Sequence, residues 1–167
     1  MALHKDKRRL FRRVRRILGS QTPLRADCGT LCGKRCCKGD ETAGMLLFPG
    51  EKTSLSVRQN GTRRLAVCRG VCRRGERPLS CRLFPFLPVL QNGRVCARID
   101  RRGAGICPLA QNEAQVRFSR RFLRRVERAG ELLYADADCR RFLEEALSEG
   151  EQIREFRAFF LQKPEKP

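Results

Sequence analysis

The sequence predicts an α+β fold, with a small cysteine-rich metal-binding core containing two β-hairpins, a basic N-terminal helix and a helical C-terminal third. Three observations carry this expectation. Ten cysteines occur in 167 residues, nine of them between Cys28 and Cys107. Two Asn-Gly pairs, Asn60-Gly61 and Asn92-Gly93, each separate short apolar runs, which is the strongest local signal for a hairpin. Beyond Pro108 the apolar residues adopt helical spacing.

The length suits one domain of ordinary size, divided by composition into a basic helix over 1–20, a cysteine-cluster domain over 21–110 and a helical segment over 111–167 packed on it. Hydrophobic residues make up 41% of the chain, enough for a core, and with no Trp and one Tyr that core falls to Leu, Val and ten Phe.

In the first segment Leu10, Phe11, Val14, Ile17 and Leu18 fall at helical spacing, with Arg8, Arg9, Arg12, Arg13, Arg15 and Arg16 around the remaining surface and Gly19 as the stop. The simplest reading is a helix packing a narrow apolar face on the domain. Those six arginines are also the candidate contacts to a polyanion such as RNA, DNA, an acidic protein or anionic lipid. Thirty-seven Lys and Arg against eighteen Asp and Glu, for a formal charge of +19, point to the same class of partner. No Asn or Gln lies in the helix to read bases, so such binding is expected to be non-specific.

Residues 1–18 contain no uninterrupted apolar run of signal-peptide length, and nowhere do about 18 apolar residues follow one another. The expectation is a cytoplasmic protein without a transmembrane segment, its thiols reduced and available to metal rather than paired in disulfides.

Cys28, Cys32, Cys36 and Cys37 form a C-x3-C-x3-C-C run in a segment without hydrophobic period, read as a ligand loop. Adjacent cysteines bridge each other only with strain, so Cys36 and Cys37 are expected to serve a metal or two different centres. A second group, Cys68, Cys72 and Cys81, is followed by Cys107, which precedes Pro108 as ligands do in ferredoxin-type loops. These eight are the candidate ligands, and they suit two four-cysteine sites or one cluster with spare thiols. The absence of paired C-x2-C knuckles favours an iron–sulfur cluster, of the 4Fe–4S type, over zinc. Cys139 reads as a buried structural thiol, while Cys96 stands between ligand and structural thiol.

This pattern of C-x3-C-x3-CC, C-x3-C, R-P-x2-C-R-x-F-P-F and C-P, carried by Cys28, Cys32, Cys36, Cys37, Cys72, Arg77, Pro78, Cys81, Arg82, Phe84, Pro85, Cys107 and Pro108, resembles the YkgJ-like family of cysteine-cluster proteins. The resemblance covers residues 27–109. It implies zinc or iron chelation on a small domain, and related motifs in a flagellin lysine methylase extend it to methyl transfer. The first spacings are x3 where many members have x2, and Cys96 and Cys139 stand outside the motif.

Between the groups, Met45–Phe48 is a short apolar run stopped by Pro49, and residues 54–58 with 63–68 form one expected hairpin. Residues 87–91 with 94–99 form the other, giving a small antiparallel sheet. The helical third places Val116, Leu123 and Val126, then Phe142, Leu143, Ala146 and Leu147, then Ile153, Phe156 and Phe160 on apolar faces. Asp138 is the expected N-cap of its middle helix, Gly150 the stop, and residues 163–167 a frayed tail.

Enzymatic signals are few. His4 is the only histidine and reads as a solvated tail residue, and no phosphate-binding or dinucleotide-binding glycine motif occurs. Asp136 and Asp138 read as capping residues rather than an acid pair. A metal-binding protein is therefore the leading expectation, with a metal-stabilised nucleic-acid-binding protein or a redox or methyl-transfer accessory enzyme as alternatives.

Overall fold

The computed structural model describes residues 2–40, 43–70 and 72–161, and only the backbone of residues 2–5 and 161. The side chain of His4 and the expected tail 163–167 lie outside the described residues. Six helices and two antiparallel sheets form an α+β arrangement: α1 Ala2–Leu18, α2 Gly29–Cys32, β1 Met45–Leu46, β2 Ser56–Asn60, β3 Arg63–Val67, α3 Leu79–Leu83, β4 Phe86–Gln91, β5 Arg94–Ile99, α4 Pro108–Gln111, α5 Arg120–Tyr134 and α6 Ala137–Leu161. None of the described helices is long and apolar enough to cross a membrane.

Helix α1 follows its pattern. Phe11, Val14 and Leu18 are buried, and the chain turns at Gly19, whose positive φ of 56° an L side chain rarely adopts. Its last carbonyls are not left to water: Arg125 Nη1 donates to Leu18 O at 3.3 Å and Arg82 Nη1 to Gly19 O at 3.1 Å. Three ion pairs fix the helix at two points along its length. Near the start, Lys7 Nζ meets Asp136 at 2.6 Å and Asp138 at 2.9 Å. Further along, Arg15 Nη2 meets Glu51 Oε1 at 2.6 Å, where Glu51 is wholly buried. Burial pushes the Glu51 carboxyl up, while the Leu79 and Phe48 N–H groups and the Arg15 charge pull against it.

Both hairpins form, but in separate sheets. β4 and β5 pair from Phe86↔Ile99 to Gln91↔Arg94, leaving Asn92 and Gly93 as a two-residue turn with both φ positive. In the first hairpin Asn60 is the last paired residue, opposite Arg63, so the turn is Gly61-Thr62 rather than Asn60-Gly61. Met45 and Leu46 add a third strand to that sheet in the order β1-β3-β2. A two-residue strand carries too little alternation to be distinguished from a loop.

The C-terminal third is helical, with three differences from expectation. Asp136, not Asp138, caps α6 by accepting from Cys139 N at 3.0 Å. Gly150 does not end the helix. It is buried where a Cβ would approach Arg101 Cβ to 3.3 Å, so the glycine marks a close contact with the 3₁₀ turn Arg101–Gly105, and the helix continues. Val116 lies in the connection before α5.

Gly130, buried midway along α5, lets that helix lie against the second hairpin. A Cβ there would stand 2.4 Å from Pro88 Cβ and 2.7 Å from Val95 Cγ1. Alanine gains about 1 kcal/mol over glycine in an open helix, yet overpacking a core costs about 1–3 kcal/mol. Gly130→Ala is therefore expected to lower stability in urea titrations, and a rise in the unfolding midpoint would show that the contact is slack.

Candidate metal centre

The first cysteine loop contains two short helical turns where sequence predicts loop alone. Asp27 Oδ1 accepts from Gly29 N at 3.1 Å and opens α2. Gly33 and Lys34, both at left-handed φ, then reverse the chain into the 3₁₀ turn Arg35–Cys37. The reversal distributes the four thiols over two sides of the loop. Cys36 and Cys37 sit at the division, their sulfurs 4.0 Å apart.

On one side Cys28, Cys32 and Cys36 meet Cys107, which arrives on the N-terminal end of α4. These four line a cavity of about 190 Å³ whose other walls include Phe84, Pro85, Ile106, Leu109 and Val116. Phe84–Pro85 is a cis peptide bond. Burial, then the charges of Asp27, Cys107 and Cys32, push the Cys28 thiol up.

On the other side Cys37 joins the second group. Gly39 N donates to Cys68 O and Gly70 N to Cys37 O, each at 2.7 Å, flanking a bridge between Lys38 and Arg69. Burial pushes the Cys68 thiol up, and its neighbours Cys72 and Cys37 add to the rise. Cys81, on α3, faces Cys37, Cys72 and Cys68, and burial followed by those charges pushes it up to about 12. The approach of the two segments depends on Gly39, where a Cβ would stand 2.8 Å from Ala43 O and 3.1 Å from Cys68 N.

The arginines of the R-P-x2-C-R stretch serve different purposes. Burial pulls the Arg77 guanidinium down, but its neighbours Cys72, Cys37 and Cys81 raise it overall. Its Nε is buried with no hydrogen-bond partner among the described residues. Arg82 instead holds the frame, donating to the carbonyls of Arg77, Arg74 and Gly75 at 3.1, 3.1 and 2.7 Å in addition to Gly19. It ties α3 and the preceding turn to the end of α1.

Among the described residues no three Cys, His, Asp or Glu side chains stand in a geometry that encloses an ion. The thiols are gathered as neighbours, and ligation would require their side chains to turn inward. Their chemistry suits a thiolate-bound metal: eight soft donors in two sets of four, all unpaired, with a guanidinium donor to spare beside one set. Cys139, in the first turn of α6, is wholly buried, in keeping with a structural thiol, and Cys96 lies half-buried on β5 opposite Val89. Of the six arginines proposed on α1, Arg8, Arg9, Arg12, Arg13 and Arg16 are exposed, whereas Arg15 is turned inward to Glu51.

No family model matches the chain, and no curated protein or solved structure matches it either. The resemblance to the cysteine-cluster family thus rests on its motif residues.

Cys37 is the thiol most disposed to ionise without metal. The hydrogen bond shared with the Cys36 thiol comes first, and Arg77 and Lys34 add positive charge, lowering Cys37 to about 6 while Cys36 is driven up. Above that value Cys37 is mostly thiolate, whereas Cys81 and Cys139, both raised, remain protonated at neutrality. Alkylation of metal-free protein at pH 7, mapped by peptide mass, should label Cys37 well before Cys36, Cys81 or Cys139, and its labelling should fall as pH drops below 6. Labelling of Cys139 at an equal rate would contradict this charge arrangement.

Proposed function

We propose that this protein binds an iron–sulfur cluster through Cys28, Cys32, Cys36 and Cys107. The observation that carries the reading is their convergence on one apolar cavity of about 190 Å³. A single water needs only about 10–15 Å³ of such space, and one tetrahedral ion sits about 2.3 Å from its thiolates and needs no chamber. A polynuclear cluster needs room for both its metals and its sulfides. Walls such as Phe84, Pro85 and Leu109 would keep water from it, one of the ways a protein sets a cluster's potential. A thiolate-bound cluster also fits a reducing compartment such as the cytoplasm.

Full-length protein purified without oxygen should contain iron and acid-labile sulfide in equal amounts and show broad visible absorption. Less than about half an equivalent of iron, with all thiols freely reactive, would end this reading, because bound thiolates are protected.

The packing of α1 against α5 supports a second reading, in which the chain also contacts a polyanion. Arg8, Arg9, Arg12, Arg13 and Arg16 on α1 and Arg120, Arg121, Arg124 and Arg128 on α5 are all exposed, so two neighbouring helices contribute cationic groups. Deleting α1 would remove Phe11, Val14 and Leu18 from the core, so the test leaves the helix in place and replaces its five exposed arginines with glutamine. Each phosphate contact contributes about 0.9 to the slope of log affinity against log salt on duplex DNA. The variant should bind unrelated RNA and DNA more weakly with a shallower slope, and an unchanged slope would remove α1 from the interface.

A further inference from the structure

We infer that the outer end of α6 is a membrane-docking element: Phe156, Phe159 and Phe160 enter the headgroup boundary of an anionic lipid surface, to which the positive charge of the chain attracts it.

Helix α6 divides by burial. Its first turns place Cys139, Leu143 and Ala146 in the core, whereas none of residues 151–160 is buried and residues 154–160 are all exposed. The three phenylalanines stand at i, i+3 and i+4 within that exposed stretch and so share one face. They also touch one another, with ring centroids 4.7 Å apart for Phe156 and Phe160 and 5.6 Å apart for Phe159 and Phe160. The result is one aromatic patch in which every ring is more than half exposed. Apolar side chains gathered in this way mark a contact site, which singly scattered ones do not.

Cationic groups flank the patch. Arg98, Arg101 and Arg154 line a cleft between α6 and the second hairpin, where Leu90 adds another exposed apolar side chain. Arg101 pairs with Glu113 and Arg154 with Glu151. Arg98 is bonded to the neutral Gln91, and Arg157 lies exposed beside Gly105; neither has an acidic partner among the described residues. Glu155 is exposed at the same end, but the chain as a whole carries +19.

Three occupants could cover such a patch, and the observations favour lipid. A second copy would bring another +19 against it, and three half-exposed rings offer on the order of 300–400 Å², against about 800 Å² per partner in a stable complex. Nucleic-acid bases stack flat on open rings, whereas these rings are inclined to each other by 55° and 87°. A bilayer needs neither matching shape nor a flat platform. It rewards apolar area entering the headgroup boundary together with positive charge near anionic lipid, and the end of α6 combines the two.

The experiment sediments full-length protein with phosphatidylcholine vesicles, with and without phosphatidylserine. Wild type should bind the phosphatidylserine vesicles more tightly than the neutral ones, and less tightly as salt rises. The triple variant Phe156→Gln, Phe159→Gln, Phe160→Gln alters only exposed side chains and should lower the partition coefficient at least about tenfold, while its hold on single-stranded RNA stays unchanged. The chain contains no Trp, so Phe160→Trp gives a lone reporter. Its emission should shift to the blue on adding phosphatidylserine vesicles and be quenched by lipids brominated along the acyl chain. The proposal is overturned if wild type ignores phosphatidylserine vesicles or binds neutral ones equally, if the triple variant binds vesicles as wild type does, or if the Trp emission is unmoved on bound vesicles. An equal loss of RNA binding in the triple variant would assign the rings to bases, and a wild-type dimer that the variant abolishes would assign them to a second copy; either result overturns it as well.

Discussion

Two reciprocal hydrogen bonds, from Gly39 N to Cys68 O and from Gly70 N to Cys37 O, hold together segments about thirty residues apart, and the gathering of thiols depends on them. They form a short antiparallel clasp without belonging to either sheet. Its closeness is steric as much as electrostatic, because a side chain at position 39 would collide with backbone on two sides. The ordering of that loop costs conformational entropy of about 1–2 kcal/mol per residue, which so small a patch of backbone contact does little to offset. Metal binding supplies folding free energy in sites of this kind, so the clasp and a bound metal would reinforce each other.

The helices make a rigid base beneath this loop region. Arg82 joins the end of α1 to the turn before α3, and Glu51 joins the middle of α1 to the start of α3 through Arg15 and Leu79 N. Cys81 is therefore carried on an element held by several charged hydrogen bonds, whereas the first four cysteines ride on a loop. Were a metal bound among these thiols, Cys81 would be the donor whose position is set by the frame, in keeping with the rule that sites are built best on supported elements.

Legibility in the sequence followed the range over which each signal acts. The α1 face and the second hairpin depend on periodicity or on a pair of turn residues, and each was readable locally; of the residues read for the α5 face only Val126 is buried on that helix, alongside Phe122, Ala129 and Leu133. Gly150 was misleading because glycine is used both to stop helices and to admit a neighbour, and only the distant Arg101 decides between the two. The same applies to Arg82, whose position beside Cys81 suggests charge compensation although its donors are used by carbonyls. The eight cysteines were visible as a set from spacing. Which of them share the apolar cavity was not, since that depends on a chain reversal at Gly33 and Lys34 and on Cys107 arriving from far along the chain.

Helix α6 runs for 25 residues, about 37 Å, and its far end carries Phe156, Phe159 and Phe160 at 66%, 68% and 52% exposure. A greasy tip on a chain of formal charge +19 sets two forces of different range against each other. Mutual repulsion between molecules acts over the Debye length, about 30 Å at 0.01 M salt and 8 Å at 0.15 M, whereas contact between aromatic tips is short-ranged and gains from salts excluded from protein surfaces. Added salt thus weakens the barrier without weakening the adhesion. Colloidal behaviour of this chain is consequently inverted relative to its hold on polyanions: the ionic strength that loosens a charged ligand is the one that lets the molecules stick to each other.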